Sequence, residues 1–401
     1  MLRQVALALP VVLGLTGARC ETSMPGSPAS ADLARALPVD TVVQRLSFGA
    51  IAGWGEDDHA AAFRVFLETC APLLDGSAVL RDAIQPPSAL VETCRSARSL
   101  ADSAGSDRNV ARTFFETHFA PFEIRPRGEA GFLTAYYEPE IEASLVQTPD
   151  FPVPVLARPA DLVTFRQGEP RPGLDPGLQA ARQTAEGLRP YPDRQAIWAG
   201  ALAGHNLEIA WLRDHAELFI TQVQGSARLR LPDGRRTRLV YAGRNGHPYT
   251  SIGKRLVETG AMTLTEMTLA KLMGWLRDNP GRGRALMEEN RSYVFFARDD
   301  AAPQDRGPIG GAGVPLTEGR SLAIDRTLWP YGLPVFIDVN PLVPGGGRHR
   351  IARLMIAQDT GSAIVGPARG DYFMGTGVEA GARAGLVRDR LRFVVLWPEK
   401  P

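Results

Sequence analysis

Three cysteines in 401 residues are too few for a disulfide-dense scaffold or a zinc ribbon. Histidine is also scarce. The six, His59, His118, His205, His215, His247 and His349, fall in no H-E-x-x-H or C-x-x-C pattern, so neither a metal site nor a cofactor is expected. Net charge is almost absent. Forty-five basic residues face 44 acidic ones, leaving +1, which argues against a blanket electrostatic grip on nucleic acid or anionic lipid. No apolar run is long enough to span a bilayer, which takes about 20 residues. The nucleophile frame G-x-S-x-G is missing around Ser226, which sits in Gln224-Gly-Ser-Ala227. Gly307–Gly313 (GPIGGAG) and Ser251–Lys254 (SIGK) lack the context of a phosphate loop, and the former reads as a flexible loop. No internal repeat occurs.

What is present begins with an N-terminal signal. Met1-Leu-Arg-Gln4 precedes an apolar run, Val5–Gly17, broken by Pro10. One basic residue, a short apolar core and small residues after it predict an export signal over 1–20 and a Ser/Pro/Ala-rich tether over 21–45. Cys20 follows Arg19, where a lipoprotein signal carries a small residue. Ala29-Ser30-Ala31 is a competing cleavage site. Outer-membrane anchoring through Cys20 therefore stays open. Export to an oxidising compartment makes Cys70 and Cys94 a candidate disulfide, 24 positions apart, contributing on the order of 3 kcal/mol. Two buried thiols are the alternative.

The chain has 41 Gly and 32 Pro, short of the roughly 25–30 % together that marks low complexity but rich in turns. Helical spacing is seen over Asp57–Leu74 (Phe63, Phe66, Leu67, Leu74) and less clearly over Val110–Phe122. Strands are expected at Leu218–Val223, Ala227–Leu231, Arg238–Ala242, Tyr293–Phe296, Leu333–Asp338, Ala352–Gln358 and Arg392–Trp397, with a hairpin at Asp233-Gly234. Thr263–Asn279 reads as a helix opened by a Thr263/Glu266 capping box, striped by Leu264, Met267, Leu272 and Leu276, and stopped by Pro280. A short helix, Gly281–Glu289, follows. Helices, strands, a helical pair and strands again predict a mainly β, α+β protein.

Three aspartates attract attention. Asp325 and Asp359 each follow an apolar run, and Asp371 ends a Gly-containing loop. Aspartates at strand ends can converge in one cleft, as paired carboxyls do in glycoside cleavage. Singly, each is also an ordinary turn former. Tyr136, Tyr137, Tyr249, Tyr293, Trp329 and Tyr372 lie beside polar and Gly residues, where rings can stack on sugars, although core packing is commoner.

Six segments in order resemble the membrane-bound lytic murein transglycosylase A family: FLTAYYEPE (Phe132–Glu140), QVQGSARL (Gln222–Leu229), YAGRNGHPYTSIGK (Tyr241–Lys254), ENRSYVFF (Glu289–Phe296), VPLTEGRSLAIDRTLWPYGLPVFID (Val314–Asp338) and Asp359–Gly377 followed by EAGARAG (Glu379–Gly385). The resemblance covers roughly residues 100–401. It implies a large double-psi β-barrel domain with flanking helices, residues 46–138 and 241–401, interrupted by a smaller β-barrel, residues 139–240. It implies cleavage of the MurNAc–GlcNAc β-1,4 bond of peptidoglycan with formation of a 1,6-anhydro end, in the periplasm of a Gram-negative bacterium, with cell-wall machinery as further partners. Carried over, the acid/base falls on Asp371, and Asp359 and Asp325 match the other groove aspartates. Tyr136, Tyr137, Glu138, Gln224, Gly225, Ser226, Tyr249 and Ser251 are the candidate glycan contacts. The family pattern TGYYEP reads TAYYEP here, with Ala135 for Gly. The alternatives are a paired-Asp hydrolase, with water as nucleophile, and a non-catalytic glycan-binding lipoprotein.

Overall fold

The computed structural model describes residues 33 and 35–399 except 167 and 265. The expected export signal, Cys20 and most of the tether lie outside them. The chain opens with β1 (Thr41–Arg45), α1 (His59–Asp75), α2 (Ser88–Ser99), α3 (Ala101–Ser106), α4 (Arg108–His118), β2 (Phe119–Pro126) and β3 (Gly131–Glu138). A middle section holds β4 (Glu140–Glu142), β5 (Val153–Leu156), β6 (Leu162–Thr164), β7 (Ala180–Thr184), β8 (Gly187–Pro190), α5 (Arg194–Trp198), β9 (Glu208–Leu212), α6 (His215–Gln224), β10 (Ser226–Arg230) and β11 (Arg236–Arg244). Then come α7 (Ile252–Glu258), α8 (Leu269–Asp278), α9 (Pro280–Glu289) and β12 (Val294–Asp299). The last stretch is β13 (Ser321–Ile324), β14 (Pro334–Val339), β15 (Ile351–Asp359), β16 (Arg369–Thr376), α10 (Val378–Ala384) and β17 (Arg388–Pro398).

An eight-stranded sheet has the order β1-β2-β17-β14-β15-β13-β16-β3. β17 also pairs with β3 through residues 388–391, so the pairings starting at β17 return to it. Its strands are apolar on both sides because both faces are covered. Val335, Ile337, Met355, Ala357, Phe393 and Val395 point to one core. The alternate residues Phe336, Leu354, Ile356, Val394 and Leu396 pack under α1, α2 and α4. Cys70 of α1 and Cys94 of α2 form a disulfide in this second core. The edge strand β1 comes from the expected tether. Val43 packs against the first core, as do Leu33 and Leu37 just before the strand.

The second sheet, β12-β11-β10-β4, comes from the middle of the chain. The expected domain boundary after residue 240 falls inside β11, which continues to Arg244 against β12. The helices α6–α9 form their own apolar cluster beside this sheet.

Several local expectations are corrected. Leu218–Val223 is helical. Asp214 caps α6 by accepting from Glu217 N at 2.7 Å, and Gly225 ends it in the left-handed region, φ 85°. Leu218, Phe219 and Ile220 are all buried, and such a continuous apolar run has no diagnostic period. Thr263 and Glu266 do bond one another, but Thr268 caps the helix that forms, so α8 starts at Leu269 and Leu264 is exposed. Pro280 stops α8 and also opens α9 at its first turn, where a missing N–H costs nothing. The helix expected to reach Phe122 ends at His118, where β2 begins. Asp371 is the third residue of β16, not the end of a loop.

Candidate active site

Strand register builds the site. Thr134 of β3 pairs with Asp371 of β16, Asp371 with Ala323 of β13, and Ala323 with Asp359 of β15. Laterally paired residues point to the same face of a sheet. The four therefore form one row across four strands, and all four line one groove. Two inter-strand spacings of about 4.8 Å put the aspartate Cα atoms roughly 10 Å apart, with the small Ala323 between. A β-bulge makes the row possible. Leu322 pairs with Ala357, but Ala323 pairs with Asp359, skipping Gln358. The extra residue turns Asp359 toward the groove. Gln358 is buried and bonds Ser321 at 2.5 Å and Thr69 at 2.8 Å.

The two carboxyls differ in environment. Asp359 accepts from Gly311 N at 2.8 Å and from the Tyr136 hydroxyl at 2.9 Å. Burial raises its pKa, against the opposing pull of Arg81 and these donors. Asp371 accepts from the Thr134 hydroxyl at 2.5 Å, and Thr134 in turn accepts from Arg369 at 2.6 Å. Burial pushes the Asp371 carboxyl up to about 6. Arg369 and Thr134 pull the other way, and the Asp359 charge adds to the rise. A carboxyl with that pKa can both donate and recover a proton near neutrality.

The other expected site residues divide. Tyr136, Gln224, Gly225, Ser226 and Tyr249 line the same groove. Tyr137 points to the opposite face of β3, packs against the first core and fills the space a Cβ on Gly381 would need. Ser251 caps α7, accepting from Lys254 N. Glu138 is fully buried, 2.9 Å from Arg228 and 2.8 Å from Arg238, and accepts from Thr376. Burial raises its pKa and outweighs the pull of both guanidiniums. Glu138 thus joins the end of β3 to β10 and β11 of the second sheet. Asp325 does not reach the row. Its carboxylate accepts from Thr327 N and Oγ1 and from Gly366 N, so it builds the turn after β13. Tyr293 and Trp329 are buried in cores and Tyr372 is held by Arg353. Among the described residues no group of three or more His, Cys, Asp or Glu could hold a metal ion.

Thr134, Arg369, Arg81 and Gly311 are site residues that the sequence did not single out. A signal existed for Thr134. It lies two positions before Tyr136, hence on the same face of β3. The glycine-rich segment is packed rather than flexible. A Cβ at Gly307 would meet Leu316 O at 2.1 Å, and one at Gly311 the Tyr331 hydroxyl at 2.4 Å.

Fold and site together define a strand-rich α+β protein whose groove presents two unlike, half-buried carboxyls between two sheets. Residues 132–297 match the MltA specific insert domain and residues 320–397 the 3D domain. The membrane-bound lytic murein transglycosylase A of Vibrio cholerae is 38 % identical over 199 residues, 48 % of this chain and 52 % of that protein. The chain thus spans about half the length of that curated relative. A crystal structure of a membrane-bound lytic murein transglycosylase from Agrobacterium tumefaciens has a TM-score of 0.79 at 38 % identity, covering 89 % of this chain and 97 % of the other. E. coli MltA with bound chitohexaose has a TM-score of 0.63 at 26 % identity, covering 90 % and 95 %. The chain belongs to the membrane-bound lytic murein transglycosylase A family.

Proposed function

We propose that this protein is a peptidoglycan lytic transglycosylase that cleaves the β-1,4 bond between MurNAc and GlcNAc and leaves a 1,6-anhydro-MurNAc end. The observation that carries this reading is the pair of unlike carboxyls in one row of the groove. Protonated Asp371 gives its proton to the glycosidic oxygen as the C1–O bond breaks toward an oxocarbenium-like state. The carboxylate left behind takes the proton of the C6 hydroxyl of the same MurNAc, and O6 bonds to C1. Asp371 then ends ionised plus one proton, its starting form, and no water is consumed. Asp359 is already engaged with Gly311 and Tyr136, which fits it to stabilise positive charge and to hold Asp371 protonated rather than to activate water. Chitohexaose in the E. coli relative supports a glycan strand as the ligand. The return of the pairings to β17 supports a closed six-stranded core of the double-psi type.

The family name points to the cell envelope of a Gram-negative bacterium, with peptidoglycan strands as substrate. No helix among the described residues is long and apolar enough to cross a membrane. Mass spectrometry of purified sacculi digested by the protein tests the chemistry. Anhydro ends are expected. Reducing ends would replace this reading with hydrolysis, and intact strands would replace it with binding alone.

A further inference from the structure

The groove has a second half with opposite charge. Beyond Arg81, Tyr241 and Arg244 it continues over Arg158 and Arg326. Among the described residues none of these four guanidiniums has a carboxylate partner within 4.0 Å; ion pairs elsewhere engage Arg228, Arg238 and Arg320. Their partners are neutral. Arg81 lies 3.9 Å over the Tyr241 ring and donates to Thr360 O at 2.9 Å. Arg244 donates to Ser362 and Gln179. Arg158 donates to Ala242 O at 3.0 Å and Leu162 O at 2.7 Å, and Arg326 donates to Asp82 O. Two carboxylates share this half: Asp325, consumed by its turn, and the exposed Asp82.

Arg81 acts on Asp359 and Asp82 stands at the rim, yet four guanidiniums outnumber the carboxylates around them, and burial pushes the Arg244 pKa down to about 10, with Arg81 and Arg326 adding repulsion. Each guanidinium has five N–H donors, and Arg81 spends one on Thr360. An anionic ligand would relieve the repulsion and take the remaining donors in charge-assisted bonds. A glycan lying across Asp371 continues directly into this half, because Leu80, Arg81, Tyr241, Arg244 and Thr360 line both.

We propose that the arginine half of the groove is a carboxylate subsite, in which Arg81 and Arg244, backed by Arg158 and Arg326, bind the negative charge that MurNAc units carry and GlcNAc units do not. The proposal rests on the glycan-strand reading above and names what distinguishes the true strand from a neutral one. The carboxylate has two sources: the lactyl group of a strand stripped of peptide, or the stem peptide itself.

The test uses the whole protein carrying Asp371→Asn, so that ligands bind without turnover. Three probes of equal sugar number are titrated at low and high salt: stem-bearing strands, amidase-stripped strands and chitohexaose. Charged hydrogen bonds are worth about 1.5–3 kcal/mol, so a charged strand should bind roughly 10- to 100-fold tighter than chitohexaose. That advantage should vanish at high salt and in Arg81→Gln/Arg244→Gln and persist in Arg81→Lys/Arg244→Lys, with the Gln variant losing far more affinity for the charged strands than for chitohexaose. Tight binding of the stripped strand alone assigns the lactyl carboxylate, tight binding of the stem-bearing strand alone assigns the peptide, and tight binding of both shows that the subsite takes either carboxylate. Equal affinity for all three probes, or equal loss on chitohexaose in the Gln variant, overturns the subsite. If charge-selective binding is found but the parent protein cleaves nothing, the lyase reading fails and the subsite stands.

Discussion

Asp371 and Asp359 lie in one row on strands that flank β13 yet are held differently, and their partners decide the roles. Among the described residues Thr134 alone donates a side-chain hydrogen bond to Asp371, and Arg369 stands behind Thr134. Asp371→Asn keeps size and hydrogen bonding but can neither give nor take a proton. Turnover of sacculi is expected to fall by at least the 10²–10⁴ that one positioned acid or base supplies. The same variant has a predictable effect on stability. The folded pKa, about 6, lies above the ordinary carboxyl value of 3.8. The contribution to stability is therefore fully present below pH 3.8 and is lost as pH rises through about 6. Thermal melts should show Asp371→Asn more stable than the parent at pH 7 and no more stable at pH 3.5. A melt difference that is the same at both pH values would contradict the raised pKa.

The pH profile of cleavage follows from the same group. The acid form of Asp371 starts the reaction, so activity should decline above about pH 6, tenfold per unit well beyond it. Removing the Asp359 charge removes one of the influences that raise this pKa. Asp359→Asn should retain more activity than Asp371→Asn and move the declining limb to lower pH. A dead Asp359→Asn beside an active Asp371→Asn would exchange the two assignments.

Among elements, β15 shows how a local irregularity makes a site. Its bulge at Gln358 sends the glutamine inward to Ser321 and Thr69 and turns the next residue, Asp359, to the groove. The helical layer over the opposite face is tied by Cys70–Cys94. Cys70→Ala/Cys94→Ala should lower stability by about 3 kcal/mol in chemical denaturation, since the bond closes a 24-residue separation. Non-reducing alkylation of the mature protein should find neither thiol free in the parent.

Across the molecule, Glu138 couples the two sheets that wall the groove. Glu138→Ala leaves Arg228 and Arg238 facing each other without a counter-charge, and breaking a buried pair costs about 3–5 kcal/mol. Denaturant unfolding should show that loss. Glycan affinity should fall too, because Ser226 and Gln224 sit on the sheet and helix that Glu138 anchors. Unchanged stability would mean the contact is dispensable. The proposed chemistry is also carried by carboxyls alone, so EDTA should leave sacculus turnover unaltered. Loss on chelation with rescue by one metal would refute it.

The sequence by itself determined the mixed, strand-rich class, most core strands and the segments shared with the family, and it made Cys70 and Cys94 a candidate pair that the fold then joined. Those are local properties, set by apolar period, turn residues and residue order. Tyr136 and Tyr137 both read as glycan contacts from sequence, and only the pleat of β3 assigned one to the groove and the other to the core. Helix α6 was not legible, because an apolar run without a period is decided by its caps and its neighbours. Only tertiary structure decided which aspartates meet. Asp325 and Asp359 follow apolar runs and Asp371 a Gly-containing stretch, but strand order puts β13 between β15 and β16, and register with one bulge aligns two of the three across Ala323. It also brought Arg81, Arg158, Arg244 and Arg326, from four distant stretches of chain, into one cluster with no ion pair among the described residues. No spacing along a sequence encodes such a meeting, since it depends on which strands pair and in which register.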